Sequence, residues 1–432
     1  MPRLSSLSIH VLPRPDSGSG ALDRLRRTRL GIEEETPQVT DEPRLPSYLC
    51  FPSSSAKRLY GAGGLIGQGS GFDETSARTR AYAELVERVC LSSLPPGLMR
   101  GSYDELSRRG RCVVDPLDFN CYSVAQLAER RDHDRMIRRE SLTWCVAKQI
   151  LPFARKTLVP AQLVFVDPSL STEYPVRRES ITTGAAVGDT ASADPETAGI
   201  LECLERDASI GAWLGVNVAS RLWRPPGAVA PLWRYVNRYW LELIAFDITP
   251  DIGIPVALVF CVDRSGVGPA ITAGARAAFD MESALAGAIK EALQPRRTMR
   301  FLTGLRNDTA ATTVTEVRDV FSRFSFWSDS RRIHHLEHWV RTRPKARLRL
   351  PGCAAVVRGN LKALYKRLQR HNISMYTVDT TIPELKAAGL RCVKVLSPEL
   401  HPLYLDEEAQ ALFSPHYGEI RVPAKLPPHP IT

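Results

Sequence analysis

The feature that most constrains this chain is a short acidic signature that occurs twice, as Glu-Leu-Val-Glu-Arg at 84–88 and Glu-Cys-Leu-Glu-Arg at 202–206, each time after a glycine-rich turn. At roughly 100° per residue, Tyr82, Leu85, Val86 and Val89 share one helix face, leaving Arg80, Glu84, Glu87 and Arg88 on the other. In the second helix Ile200, Leu204 and Ala208 point inward, and Glu202 and Glu205 point away from them. Each helix therefore presents two carboxylates one turn apart, off its main apolar stripe. A single copy would read as a solvated face with internal Glu/Arg pairing. Two copies in matched contexts point instead to helices that face each other and gather four carboxylates. Like charges at that density need cations, and hard oxygen ligands around a phosphate suit Mg²⁺.

The rest of the chain supplies a frame for those helices. Between residues 48 and 300, glycine-rich turns precede helical stretches three times, separated by β-branched runs such as 157–166 and 253–262. The expected fold class is α+β, a mixed α/β domain with two similar helix-plus-sheet halves around a shared cleft. Residues 1–46 read as an N-terminal arm and 47–432 as one domain. Within that domain, 301–350 reads as a variable insertion, 360–371 as a helix, 393–396 as a strand and 421–432 as a proline-rich tail. His334, His335 and His338 lack acidic or cysteine companions in metal-ligand spacing, so they read as surface histidines.

Composition narrows the function classes. The net charge of +10 favours an anionic partner: a nucleotide, an acidic peptide or nucleic acid. No helix-turn-helix, RNA-recognition or zinc-finger pattern supports nucleic acid. The nine cysteines form no CxxC pair and read as reduced, mostly buried thiols. The longest nearly uncharged apolar stretch, 253–262, is half of what a bilayer requires, and the first residues contain no signal-type apolar core, so a cytoplasmic protein away from membranes is expected. There is no Walker phosphate loop, and Gly67-Gln-Gly69-Ser-Gly71 lacks the Rossmann spacing.

Three blocks carry a resemblance. Residues 67–88 are similar to the first block of the YcaO family, a glycine turn followed by an acidic loop and an E-x-x-E-R helix. Residues 180–208 resemble its second block, which ends in E-x-x-E-R-D, and 290–298 resemble the third, E-A-x-Q-x-R. The connectors 158–165, 246–256 and 393–404 fit in the same order.

The resemblance implies ATP- and Mg²⁺-dependent activation of a peptide backbone amide. The expected outcome is cyclodehydration of Cys, Ser or Thr to an azoline in a ribosomally made precursor peptide, with thioamide or amidine formation as variants. A catalytically silent, peptide-binding scaffold is the alternative from another class. Carried over by motif, Glu84, Glu87, Glu202 and Glu205 would hold Mg²⁺, while Glu291, Gln294 and Arg296 would line the nucleotide together with Ser70, Arg80, Arg88 and Arg206. Taken alone, Gln294 and Arg296 would mark only a helix that ends before Pro295.

Two departures stand out. Ser70 occupies the position where the family often has Lys, and Arg80 that of a Ser, as though the cation had moved from loop to helix; Thr182-Thr183-Gly184 replaces Ser-Asn-Gly in the second block. The family also implies a homodimer and, because the arm is too short for a recognition domain, either a separate leader-peptide-binding partner or a standalone enzyme that reads its substrate directly. Pro428-His-Pro430 resembles the proline-spaced end of azoline-forming members.

Overall fold

The computed structural model describes residues 30–36, 41–60, 65–129, 137–170, 183–189, 194–225, 227–303, 313–342, 361–422 and 426–431, together with 20, 23, 39 and 173. Three sheets dominate it. The first has β1 (Glu33–Glu35), β2 (Ser47–Phe51) and β3 (Gly67–Ser70) in that order, all antiparallel.

The second sheet runs β4 (Met99–Gly101), β5 (Leu142–Leu151), β12 (Met375–Asp379), β13 (Arg391–Leu396), β7 (Ala185–Gly188), and β6 (Arg155–Pro160) also pairs with β5. The third runs β11 (Ile271–Ala277), β10 (Val256–Asp263), β9 (Leu241–Asp247), β8 (Ser220–Leu222). Every residue of β10 is buried, which is why 253–262 reads as an unbroken apolar run: both faces of this strand are covered.

Three long helices lie against these sheets: α1 (Glu74–Leu91), α2 (Pro195–Leu214) and α3 (Met281–Thr303). Asp73 caps α1 by accepting from Ser76 N, and Asp194 caps α2 by accepting from Glu196 N and Thr197 N. Gly215, at φ 85°, ends α2 in the left-handed conformation that suits glycine. The closeness of helix to strand is set by missing side chains. A Cβ on Gly69 of β3 would come 2.3 Å from the Ala77 carbonyl of α1, and one on Gly274 of β11 would come 2.3 Å from the Ala288 carbonyl of α3. Neither position can hold another residue without pushing the helix away. The two expected helix-plus-sheet halves, β3–α1 and β7–α2, thus have a third companion in β11–α3.

Several boundaries differ from expectation. Helix α3 continues through Pro295 to Thr303 rather than ending before it. Pro295 lacks the N–H that would bond Glu291 O, a loss the surrounding packing tolerates, and Thr272 Oγ1 donates to the adjacent Ala292 O at 2.6 Å. The described part of the arm is built into the fold: β1 extends the first sheet, and buried Glu42 accepts from Arg296.

Residues 320–341, inside the expected insertion, form α4 (Val320–Ser328) and α5 (Ile333–Arg341), whose Trp327 and Trp339 are buried against Trp213 of α2 at ring-centroid distances of 6.1 and 5.1 Å. Two short helices with one buried edge each give too little sequence to show a period, so the segment looks irregular while belonging to the core. His334 and His338 are exposed, as expected. The described end of the tail is also core: Trp213 Nε1 donates to Pro427 O and Trp327 Nε1 to Pro428 O, both at 3.1 Å, and Arg323 Nη1 donates to His429 O at 2.7 Å.

The described cysteines are all free, and all but Cys112 are buried. No helix of the described residues is long and apolar enough to cross a membrane.

Candidate functional site

β3, β7 and β11 are the end strands of their three sheets. An end strand exposes unpaired backbone amides, which must find partners if they are buried. Here the partners are the glutamates of the repeated signature. Glu84 Oε2 accepts from Gln68 N of β3 at 2.9 Å, and Glu87 Oε1 accepts from Val187 N of β7 at 3.1 Å. Glu202 Oε2 accepts from Gly184 N, just before β7, at 3.0 Å, and Glu205 Oε2 accepts from Ala277 N of β11, also at 3.0 Å.

The arrangement is a relay. In each helix the first glutamate caps the strand unit preceding its own helix, and the second caps the strand preceding the next. Three sheet edges therefore converge on four carboxylates, and each carboxylate gives one oxygen to an edge amide.

Glu291 of α3 joins them through Arg206, whose guanidinium lies 3.7 Å from Glu202, 3.9 Å from Glu205 and 3.9 Å from Glu291. Arg206 is only 11% exposed, and its Nε and Nη1 are buried without a hydrogen-bond partner among the described residues. Such an orphaned cationic fork is costly unless an anion completes it. Burial alone would lower the Arg206 pKa, but Glu205, Glu291 and Glu202 outweigh it and hold the charge in place.

The carboxylates show the opposite strain. Burial raises the pKa of Glu84 and Glu205, and it holds Glu87 well above the usual carboxylate range, helped by Cys392, Glu202 and Glu84. Glu291 is pushed up to about 8, first by burial and then by the charge of Glu205. Buried carboxylates with raised pKa values that outnumber the arginines beside them, Arg88 and Arg206, are short of positive charge. Hard oxygen donors in that state fit a divalent cation such as Mg²⁺. Among the described residues, no three His, Cys, Asp or Glu side chains converge closely enough to close a metal cage by themselves.

The other expected site residues are placed as follows. Arg88 donates through Nη2 to Glu84 at 2.5 Å and through Nη1 to Ile66 O at 2.6 Å. Arg80 Nη1 donates to Ser70 O at 2.7 Å, so the two positions that depart from the family pattern touch each other, while the Ser70 hydroxyl is buried against Ser47 Oγ at 2.9 Å. Gln294 lies half-buried one turn beyond Glu291.

Arg296 is held in a buried network. It is 1% exposed, and its fork is held by Glu42 at 2.9 and 3.0 Å, Asp263 at 2.8 Å and Pro269 O at 2.6 Å, which makes it a strut between the N-terminal segment, β10 and α3. Of the second-block turn, Thr182 lies outside the described residues. Thr183 O accepts from the ammonium of Lys394, a residue sequence reasoning missed although a lysine inside an otherwise apolar strand is a legible signal.

With this geometry established, likeness to known proteins is informative. The profile described as YcaO cyclodehydratase, ATP- and Mg²⁺-binding, matches residues 68–401, and the chain belongs to the YcaO family. It is 28% identical over 201 residues to an uncharacterised protein in the tfuA 3′ region of Rhizobium leguminosarum bv. trifolii; the match covers 44% of each chain. Its fold resembles that of YcaO from Methanopyrus kandleri bound with AMPPCP and Mg²⁺, with a TM-score of 0.64, 19% identity and 96% of both chains covered.

It also resembles a heterocyclase in complex with substrate and cofactor, with a TM-score of 0.63, 17% identity, and 95% of this chain against 55% of that one. A third relative in structure is the E. coli microcin synthetase McbBCD complex with pro-MccB17 bound, with a TM-score of 0.60, 14% identity, and 85% of this chain against 88% of that one.

Proposed function

We propose that this chain is an ATP- and Mg²⁺-dependent enzyme that activates a peptide backbone amide, and that it cyclodehydrates Cys, Ser or Thr residues of a ribosomally made precursor peptide to thiazolines or oxazolines. The observation that carries the reading is the convergence of Glu84, Glu87, Glu202 and Glu205 on the edge amides of three sheets, beside Arg206, which stands near Glu202, Glu205 and Glu291 and whose buried Nε and Nη1 lack hydrogen-bond partners among the described residues. Phosphoryl transfer asks a protein mainly for positioning and charge neutralisation. A cluster of carboxylates for cations beside an unsatisfied guanidinium for an anion is suited to both.

In the proposed reaction, a side-chain thiol or hydroxyl of the peptide loses its proton and adds to the preceding carbonyl carbon, the former carbonyl oxygen takes the γ-phosphoryl group of ATP with release of ADP, and the C–O bond breaks to expel phosphate as the nitrogen loses its proton and the C=N bond forms. Mg²⁺, when bound, neutralises the triphosphate and polarises the transferred group. The four glutamates would hold it through the oxygens not used on edge amides, and Arg206 would take a phosphate oxygen.

The buried Pro427–Ile431 tail, packed on Trp213 of the same helix as Glu202 and Glu205, favours azoline formation over the thioamide and amidine variants. The resemblance to a multi-protein synthetase with its peptide bound supports a separate leader-binding partner, and homodimerisation remains part of this proposal.

The direct test is calorimetric titration of ATP with and without Mg²⁺, in wild type and Glu205→Gln, followed by mass spectrometry of a candidate precursor. Mg²⁺-dependent binding that the substitution abolishes, and loss of one water per modified residue, are the expected results. Exchange of oxygen for sulfur would reassign the chemistry to thioamide formation, and wild-type protein that ignores ATP with every candidate partner present would overturn the reading.

A further inference from the structure

Arg276 sits near the end of β11, one residue before Ala277, whose amide is held by Glu205. On a strand it shares a face with Gly274. That face lies against α3, since a Cβ on Gly274 would come 2.3 Å from Ala288 O. Two residues further along β11, the Arg276 stem occupies a notch made by Gly287 of α3: a Cβ added there would stand 2.6 Å from Arg276 Cγ and 3.1 Å from its Cβ. Glu291 is one helical turn beyond the notch, on the same side of α3.

The stem is thus guided while the residue as a whole is exposed. Among the described residues its guanidinium makes no hydrogen bond or ion pair. Its charge nonetheless reaches the cluster: burial raises the carboxyls of Glu205 and Glu291, and Arg276 is among the cations that pull them back down.

An ordinary solvated arginine needs no notch, because its stem is free to move in water. A stem seated against a glycine has already lost part of its rotamer freedom, so its fork is organised before any ligand arrives. The anion that belongs beside clustered carboxylates and their cations is phosphate, which a guanidinium matches with two parallel hydrogen bonds.

We propose that Arg276 is a phosphate-binding residue of this site, its notched side chain carrying a guanidinium from the end of β11 to the non-bridging oxygens of the triphosphate. The proposal rests on the ATP-dependent reading and extends it to a residue outside the three sequence blocks.

The experiment titrates Mg²⁺ with AMPPCP, and separately with ADP, into wild type, Arg276→Gln, Arg276→Lys and Gly287→Val, with thermal unfolding of each. Arg276→Gln should weaken AMPPCP binding about tenfold or more, Arg276→Lys should recover part of the loss, and the unfolding midpoint should not move. Gly287→Val, which fills the notch and leaves Arg276 present, should reproduce the weakening. A greater loss for AMPPCP than for ADP would place the contact on the terminal phosphate, and an equal loss would place it on the inner two. Wild-type binding that Arg276→Gln leaves within twofold overturns the role of Arg276 alone. Wild-type protein that binds neither nucleotide overturns this proposal together with the reading beneath it.

Discussion

Helices α1 and α2 carry the same five-residue signature, yet their arginines have opposite fates. Arg88 of α1 is a third exposed and committed, with one nitrogen on Glu84 and another on Ile66 O. Arg206 of α2 is nearly buried, stands 3.7–3.9 Å from three carboxylates and, among the described residues, leaves two buried nitrogens unsatisfied. The difference lies in the neighbours. Beside α1 the turn before β3 offers a backbone carbonyl that completes the fork. Beside α2 the third unit, β11–α3, offers Glu291 and the Ala277 amide, and Glu205 turns to the amide. One signature therefore gives a satisfied clamp in one half and, among the described residues, a guanidinium with two unpaired nitrogens in the other.

If the third unit makes that difference, its anchor should matter most. Arg296 ties α3 to Glu42 and Asp263 in a buried network. Arg296→Met keeps the length of the side chain but leaves buried Asp263 without its cation and Glu42 with Arg300 alone, which should cost about 3–5 kcal/mol of stability. Denaturant unfolding would show it, and a loss below about 1 kcal/mol would mean that the network behaves like a surface pair and does not hold α3.

The next test separates the two arginines. Arg206→Gln should lower ATP turnover by about two to three orders of magnitude, the scale of losing a preorganised charge at a transferring group. Arg88→Gln should cost roughly tenfold or less, because it removes a clamp on Glu84 rather than a contact with the ligand. Steady-state kinetics of the two variants side by side would decide it, and equal losses would erase the asymmetry.

The contrast also marks what could be read from the sequence. Glu84, Glu87, Glu202 and Glu205 were legible because local helical spacing places them, and the repeat distinguishes them from a solvated face. Their hydrogen-bond partners were not, because Val187 and Ala277 become edge amides only when separate sheets meet. Glu42 lies in what reads as an N-terminal arm, and nothing local marks it for burial, since its partner Arg296 is 254 residues away. Pro295 looked like a helix end, because the rule for an isolated helix omits the packing that carries α3 past it. Trp327 and Trp339 were hidden for the same reason: their packing on Trp213, edge-on for Trp327 and stacked for Trp339, is tertiary, and nine-residue helices show almost no period.

The smallest effect sharpens the comparison through pH. Glu291 stands only on the α2 side of the site and titrates near 8 in the free protein. Because its folded pKa lies above its unfolded value, the folded chain binds the extra proton between about pH 4.5 and 8. Stability should therefore fall as pH rises through that window, and the Glu291 contribution should vanish in Glu291→Gln.

Cation binding has the opposite slope, since Mg²⁺ competes with that proton. Mg²⁺-dependent nucleotide affinity should climb between pH 6.5 and 8.5 and then level off, whereas Glu291→Gln should be flatter over the same range. A pH profile identical in wild type and Glu291→Gln would move the titration to Glu87, which burial holds well above the usual range on the α1 side. The two halves would then differ in their arginines but not in their protons.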